Sequence, residues 1–451
     1  MPHPKTQFQT SRAAFPDGFV FGCATAAYQI EGQGTRGRTI WDTFAATGQN
    51  VKNRDDGTLA CDHLNHYVED LDLLSALGFD AYRFSFSWPR LFVGGGKVRQ
   101  AEGFDFYDRL IDQQLALGLK PFATLYHWDL PSELQDQGGW MNRDTALRFA
   151  DYADEIGAHF GDRLASLATF NEPWCITYLS HMLGIHAPGY RDRRATARAM
   201  HHVPLAHGLA LQALRAAGVA NLGLVLNMEH AFPADDSKEA LQAAHNWDTL
   251  YQGWFLEGLF KGRYPEDMVA AFGPDMPQGF EDDLPILSAP MDWLGINYYT
   301  RSRWTLGPSG DFFDLIPSPA IPSADRPLTS IGWEQHPDGL PYFLERTARD
   351  YTGDLPLYVT ENGMAWEGIE DQIRLAYFDD HLAACQRALA SGVPLKGYFA
   401  WSLLDNYEWA EGYEQRFGLV HVDYQTQVRT PKASAKAWRD FLKPSPLPSL
   451  A

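Results

Sequence analysis

Residues 67–88 read YVEDLDLLSALGFDAYRFSFSW, and two hydrophobic periods follow one another inside this one stretch. The first twelve residues carry apolar side chains at helical spacing and stop at Gly78, as an amphipathic helix with a glycine cap does. The next run, AYRFSFSW (81–88), is aromatic and bounded, as a buried strand is. Helix, glycine, strand is the repeating half of a βαβ unit.

The same pairing recurs outward in both directions. Strand-like runs lie at FVFGCAT (19–25), AYRFSFSW (81–88), KPFATLYH (120–127), LASLATF (164–170), NLGLVLN (221–227), DWLGINYY (292–299), LYVTEN (357–362) and GYFAWSLL (397–404). Amphipathic stretches such as FYDRLIDQQLALG, TALRFADYADEIGAHF and IRLAYFDDHLAACQRALASG lie between most of them. Eight alternations without a composition break predict an α/β fold, a single (β/α)8 TIM barrel spanning residues 1–451, with an ordered core of about 15–443 and short tails. The rival, an open doubly wound sheet, would carry a glycine-rich nucleotide loop after its first strand, and GCATAAYQIEG has no such fingerprint. The Pro-, Ser- and Gly-rich segment 307–327 is expected as a long loop on the functional face, and the tail KPSPLPSLA as disordered.

Composition narrows the partners. With 45% hydrophobic and 21% charged residues the chain reads as a globule, and its net charge of −20 repels phosphate backbones and anionic lipid, so neither nucleic acid nor membrane is an expected partner. The N-terminus shows no apolar signal region and no run of 18 apolar residues occurs, which predicts a cytoplasmic product. Cys23, Cys61, Cys175 and Cys385 are widely spaced and form no CxxC pair, as reduced structural thiols would. Core packing accounts for most of the 14% aromatic residues, but aromatic faces also suit sugar rings.

A barrel of this kind presents its active site at the C-terminal ends of its strands. The fourth run delivers Asn171 and Glu172 there, in TFNEP, and the seventh delivers Glu361 in VTENG. Two carboxylates facing one bowl can divide labour: one holds a proton for a leaving oxygen while the other attacks or stabilises an oxocarbenium-like centre. A single strand-end glutamate is more often a cap or an ion-pair partner; here others converge with it. Gln29 follows the first run, Arg83 lies in the second, His127 and Trp128 end the third, Asn297 and Tyr299 end the sixth, and Trp401, Glu408 and Trp409 follow the eighth. Neutral hydrogen-bonding groups among indoles make a pocket for a polyhydroxylated ring.

The motifs FVFGCATAAYQIEG, NEPW, INYYT, VTENG, AWSLLDNYEWAEGYEQRFGLVHVDY and RTPKASAKAW, in that order, resemble those of glycoside hydrolase family 1, in particular its bacterial-type β-glucosidases, over nearly the full length. The resemblance implies hydrolysis of β-glycosides with retention, and no metal or organic cofactor. It implies that Glu172 is the general acid/base and Glu361 the nucleophile, with Arg83 and Tyr299 its partners and Asn171 bonding the 2-hydroxyl. Gln29, His127, Trp401, Glu408 and Trp409 match the positions that hold the other hydroxyls of the terminal sugar. Trp333, in SIGWE, matches a platform on the leaving-group side, where Trp174, Leu179 and Asn227 line the entrance.

The implied activity is a β-glucosidase acting on cellobiose, short cello-oligosaccharides and aryl or alkyl glucosides, with some galactosidase, fucosidase and transglycosylation activity. The alternatives are a 6-phospho-β-glucosidase, which Glu408 opposes by repelling phosphate, and a non-catalytic sugar-binding protein, whose relatives lose a glutamate. Weaker signals take plainer readings: GGGK (94–97) as a turn, the pairs His63/His66 and His201/His202 as core or solvated side chains rather than metal ligands, and EDD (281–283) as a solvated loop.

Overall fold

The computed structural model describes residues 7–443. Eight strands form a closed parallel barrel: β1 (Val20–Ala24), β2 (Ala81–Ser85), β3 (Lys120–Tyr126), β4 (Ser166–Asn171), β5 (Leu222–Pro233), β6 (Trp293–Leu306), β8 (Leu357–Asn362) and β9 (Leu395–Trp401). They pair in the order β5-β4-β3-β2-β1-β9-β8-β6, and β5 pairs with β6 to close the ring. The helix foreseen at 67–78 runs His63–Leu77 and ends on Gly78, whose φ of 90° suits a residue without a Cβ.

Two strands outrun the sequence reading. Paired residues of β5 and β6 continue from Asn227↔Asn297 to Pro233↔Trp304, so both strands rise past the rim as a two-stranded ribbon. The segment expected as a loop contains a further short strand, β7 (Leu315–Pro317), antiparallel to the outer end of β6. The tail KPSPLPSLA, beyond its first residue, lies outside the described residues.

Alternation along a strand sends residues two apart to the same face, and this sets the floor of the bowl. Ala81, Phe122, Phe399 and Val20 form one buried cluster inside the barrel, and Ala168, Val225 and Trp293 form another, with Tyr358 against both. Phe122 stands 5.0 Å from Phe399, and Tyr358 stands 5.5 Å from Trp293. One alternation higher come Arg83 above Ala81, Asn227 above Val225 and Trp401 above Phe399. The apolar layer plugs the barrel, so the polar layer faces a pocket closed at its base.

EDD (281–283) is solvated only in part: Glu281 and Asp282 are exposed, while Asp283 is buried. It forms a 3₁₀ turn, Phe280–Asp283, in which buried Asp283 accepts from His201 Nε2 at 3.0 Å and pairs with both Arg143 guanidinium nitrogens. His202 Nδ1 bonds the Trp140 carbonyl at 3.0 Å and His63 Nδ1 bonds Asp70 at 2.7 Å, which makes them core histidines, while His66 lies beside Glu69 at the surface. GGGK opens on a single 3₁₀ turn, Val93–Gly95.

Candidate active site

A cavity of about 790 Å³ opens at the C-terminal ends of the strands. Its walls include His127, Trp128, Asn171, Glu172, Trp174, Leu179, Asn227, Tyr299, Trp333, Glu361, Trp401, Glu408 and Trp409. Arg83, Gln29 and Asn297 stand directly behind that wall, each bonded to one of its carboxylates. The structure therefore brings together every candidate residue named from the sequence.

Glu361, at the end of β8, is clamped. Arg83 Nη1 donates to its Oε1 at 2.5 Å and the Tyr299 hydroxyl donates to its Oε2 at 2.7 Å. Arg83 also donates through Nη2 to Asn171 Oδ1 at 2.7 Å, so one guanidinium fixes residues from β4 and β8 together. Glu172 follows β4 with φ at 53°, a conformation that costs a non-glycine residue energy and is held only where the surroundings enforce it. Trp128 and Trp409, at φ of 82° and 51°, share that feature, so three wall residues are turned inward by strained backbone.

Asn297 Nδ2 donates to Glu172 Oε1 at 2.7 Å and to Asn171 Oδ1 at 3.0 Å, and its own Oδ1 accepts from Thr360 Oγ1 at 2.7 Å, which fixes the amide's orientation. Asn297 is also paired in register with Glu361 across β6 and β8, so it neighbours both carboxylates. Burial pushes both glutamates up from the ordinary carboxylate range. For Glu361 the charge of Arg83 and the Tyr299 hydrogen bond oppose this. Glu172 feels burial and then the negative charge of Glu361, and is pushed up to about 8. The contacts thus favour the charged form more at Glu361 than at Glu172.

Elsewhere in the cavity wall polar side chains and indoles are held by their own hydrogen bonds and ring contacts. Gln29 Nε2 donates to Asn406 Oδ1 at 3.0 Å, to the Tyr407 carbonyl at 2.9 Å and to Glu408 Oε2 at 3.3 Å, while its buried Oε1 has no partner among the described residues. Burial, then the charges of Glu361 and Glu172, push Glu408 well up. His127 is held neutral by burial and by Arg83, so its Nε2 accepts from Asn171 Nδ2 at 3.1 Å, and its ring stacks 5.9 Å from Trp401. Trp128 Nε1 donates to the Asn171 carbonyl at 2.9 Å and its ring lies 4.5 Å from Trp409.

Sequence reasoning missed several wall residues. Cys175, expected as a structural thiol, is buried but donates through Sγ to Glu172 Oε2 at 3.0 Å; its position three residues after Glu172, in the π-helical turn Cys175–Leu179, was the available signal. Asn227 Nδ2 donates to Tyr251 at 2.6 Å, and Tyr251 stacks 4.3 Å from Trp174. Glu229, Trp247, Glu411 and Phe417 also line the cavity, as does Arg191 at its rim.

Residues 11–445 match the sequence profile described as Glycosyl hydrolase family 1. The chain belongs to glycosyl hydrolase family 1. It is a glycosidase. This family 1 chain is 47% identical over 444 residues to a beta-glucosidase of an Agrobacterium species, with 96% of each chain covered. It is 40% identical to the bifunctional beta-D-glucosidase/beta-D-fucosidase of Bifidobacterium breve, covering 95% of this chain and 98% of that one. The family 1 β-glucosidase of Thermotoga maritima superposes with a TM-score of 0.91 at 39% identity, covering 95% of this chain and 98% of its own, and has been solved in complex with deoxynojirimycin. Among the described residues no helix is long and apolar enough to cross a membrane.

Proposed function

We propose that this glycosidase is a retaining β-glucosidase that removes terminal, non-reducing β-D-glucosyl units by double displacement. The observation that carries the proposal is the unequal setting of its two central carboxylates: Glu361 accepts from the Arg83 guanidinium and the Tyr299 hydroxyl, which oppose the upward push of burial, while burial and the charge of Glu361 push Glu172 up to about 8. Glu361 attacks the anomeric carbon as Glu172 gives its proton to the departing oxygen; Glu172, now a carboxylate, takes a proton from water, which displaces Glu361 and releases the sugar with its configuration retained. Retention needs carboxyl groups about 5–5.5 Å apart, and the bond of Asn297 to Glu172, with Asn297 paired in register to Glu361, supports a short separation.

Gln29, Glu408, His127, Trp401 and Trp409 hold the terminal glucose, Asn171 bonds its 2-hydroxyl, and Trp128 and Asn297 brace those contacts. Trp174, Leu179, Asn227 and Trp333 form the leaving-group side, where cellobiose, short cello-oligosaccharides and aryl or alkyl glucosides fit. That substrate range would give the enzyme a part in cellulose breakdown. The name of the Bifidobacterium relative supports fucoside acceptance, and an alcohol in place of water would give transglycosylation. Four buried free thiols support the reducing cytoplasm as its compartment.

Proton NMR of the protein with an aryl β-glucoside tests the reading. β-Glucose is expected before mutarotation sets in; α-glucose first would mean inversion and a different nucleophile, and no release from any glycoside would return the chain to the sugar-binding alternative.

A further inference from the structure

Glu172 changes charge twice in each turnover of the proposed reaction, giving a proton in the first step and taking one from water in the second. Its carboxylate form therefore needs hydrogen-bond donors inside a buried wall. Two side chains supply them: Asn297 Nδ2 donates to Oε1 at 2.7 Å, and Cys175 Sγ donates to Oε2 at 3.0 Å. Arg83 directs its guanidinium at Glu361 and Asn171 instead.

The thiol is held in this contact from several sides. Cys175 follows Glu172 by three residues, and its backbone N–H donates to the Glu172 carbonyl at 3.0 Å, so one turn of chain carries both groups. The Cys175 carbonyl accepts from Ser180 Oγ at 2.6 Å, which ties down the π-helical turn Cys175–Leu179. Asn227 Nδ2 donates to the sulfur at 3.6 Å and to the Tyr251 hydroxyl at 2.6 Å, so the sulfur accepts from Asn227 and keeps its own hydrogen for Glu172. Burial and the negative charge of Glu172 push the thiol well up, and the hydrogen stays on sulfur. Cys23 and Cys61, by contrast, donate to backbone carbonyls.

Other titratable groups face Glu172 from each neighbouring element: Arg83 on β2, Tyr251 in the turn Thr249–Gly253, Tyr299 on β6, Glu361 on β8 and Glu408 after β9. His127, just past β3, bonds Asn171. Among the described residues none of these donates to either oxygen of Glu172, which leaves the thiol as the donor on Oε2.

We infer that Cys175 is a positioning residue for Glu172: its thiol, oriented by Asn227, fixes Oε2 and stabilises the carboxylate form on which the second step depends. The inference rests on the reading of Glu172 as the acid/base and adds a residue to it. Cys175→Ala deletes a donor to the charged form, so the alkaline limb of the kcat/KM profile should move upward by about half a pH unit. Cys175→Ser restores a donor of similar shape, and a hydroxyl bonds a carboxylate more strongly than a thiol does, so its limb should lie at or below the wild-type position. Lost packing alone would not separate the two variants in this way. A limb that fails to rise in Cys175→Ala, or that rises as far in Cys175→Ser, would overturn the assignment. The wild-type protein supplies a readout that needs no folded variant: its infrared S–H stretching band should shift as Glu172 titrates around pH 8, and a band indifferent to pH would overturn the assignment as well. Glu172→Gln checks the underlying reading separately; if it keeps the alkaline limb and wild-type turnover of an alkyl glucoside, that reading falls, and this inference with it.

Discussion

Glu172 and Glu361 carry the same functional group in different surroundings, and the difference lies in single contacts. Glu361 receives a guanidinium and a phenol, whereas the donors on Glu172 Oε1 and Oε2 are a neutral amide and a thiol. The sign of each pH effect follows. In the proposed mechanism the first step uses the acid form of Glu172, so kcat/KM should decline as pH rises through about 8. Removing the phenol donor in Tyr299→Phe destabilises the charged form of Glu361, raises its pKa and should move the acid limb of the kcat/KM profile upward by about one pH unit. An acid limb that stays in place in Tyr299→Phe would mean that Glu361 does not set it.

At the scale of elements, the barrel floor supports this chemistry from below. Phe399 is fully buried against Phe122, and a Cβ on Gly22 of the neighbouring strand would fall 2.2 Å from its ring, so the ring fits only because that residue is glycine. Phe399→Ala should cost about 3–5 kcal/mol of stability, read as a lowered midpoint in denaturant, and should also lower activity, since Trp401 stands on the same face two residues on. A stability change below about 1 kcal/mol would show that the floor repacks. The strand runs and the residues they deliver were legible beforehand because both are local properties of the chain, whereas the layering depends on register between strands. Arg83, Asn171, Glu172 and Glu361 could be named for that reason. The ribbon beyond the rim was not legible: HAFP and TRSRW lack the aliphatic signature of a buried strand, and their pairing depends on each other rather than on a core. Glu229 was hidden for the same cause, since Trp247 and Ser302, which orient it, are far away in sequence. Asp283 looked solvated in EDD because Arg143 and His201, its partners, come from helices distant in sequence.

Over the whole molecule, charge and architecture act in one direction. The chain carries a net charge of −20, which includes the five glutamates of its cavity wall, set against Arg191 at the rim and Arg83 behind the wall. Such a field favours neutral glycosides and opposes anionic ones, so a glucoside 6-phosphate is expected to be a poor substrate beside its neutral parent. Closure of the eight strands brings β4 and β8, three strands apart in the ring, onto the wall of the same bowl, which places the distant NEP and TEN segments together as the proposed reacting pair. The most direct test of that pairing is to trap the covalent intermediate with an activated 2-deoxy-2-fluoro-β-glucoside, whose fluorine slows breakdown of the glycosyl ester, and to locate the label by peptide mass spectrometry. A single label on Glu361 is the predicted result; a label on another residue, or turnover of the parent glucoside with no trapped enzyme, would contradict the two-glutamate account.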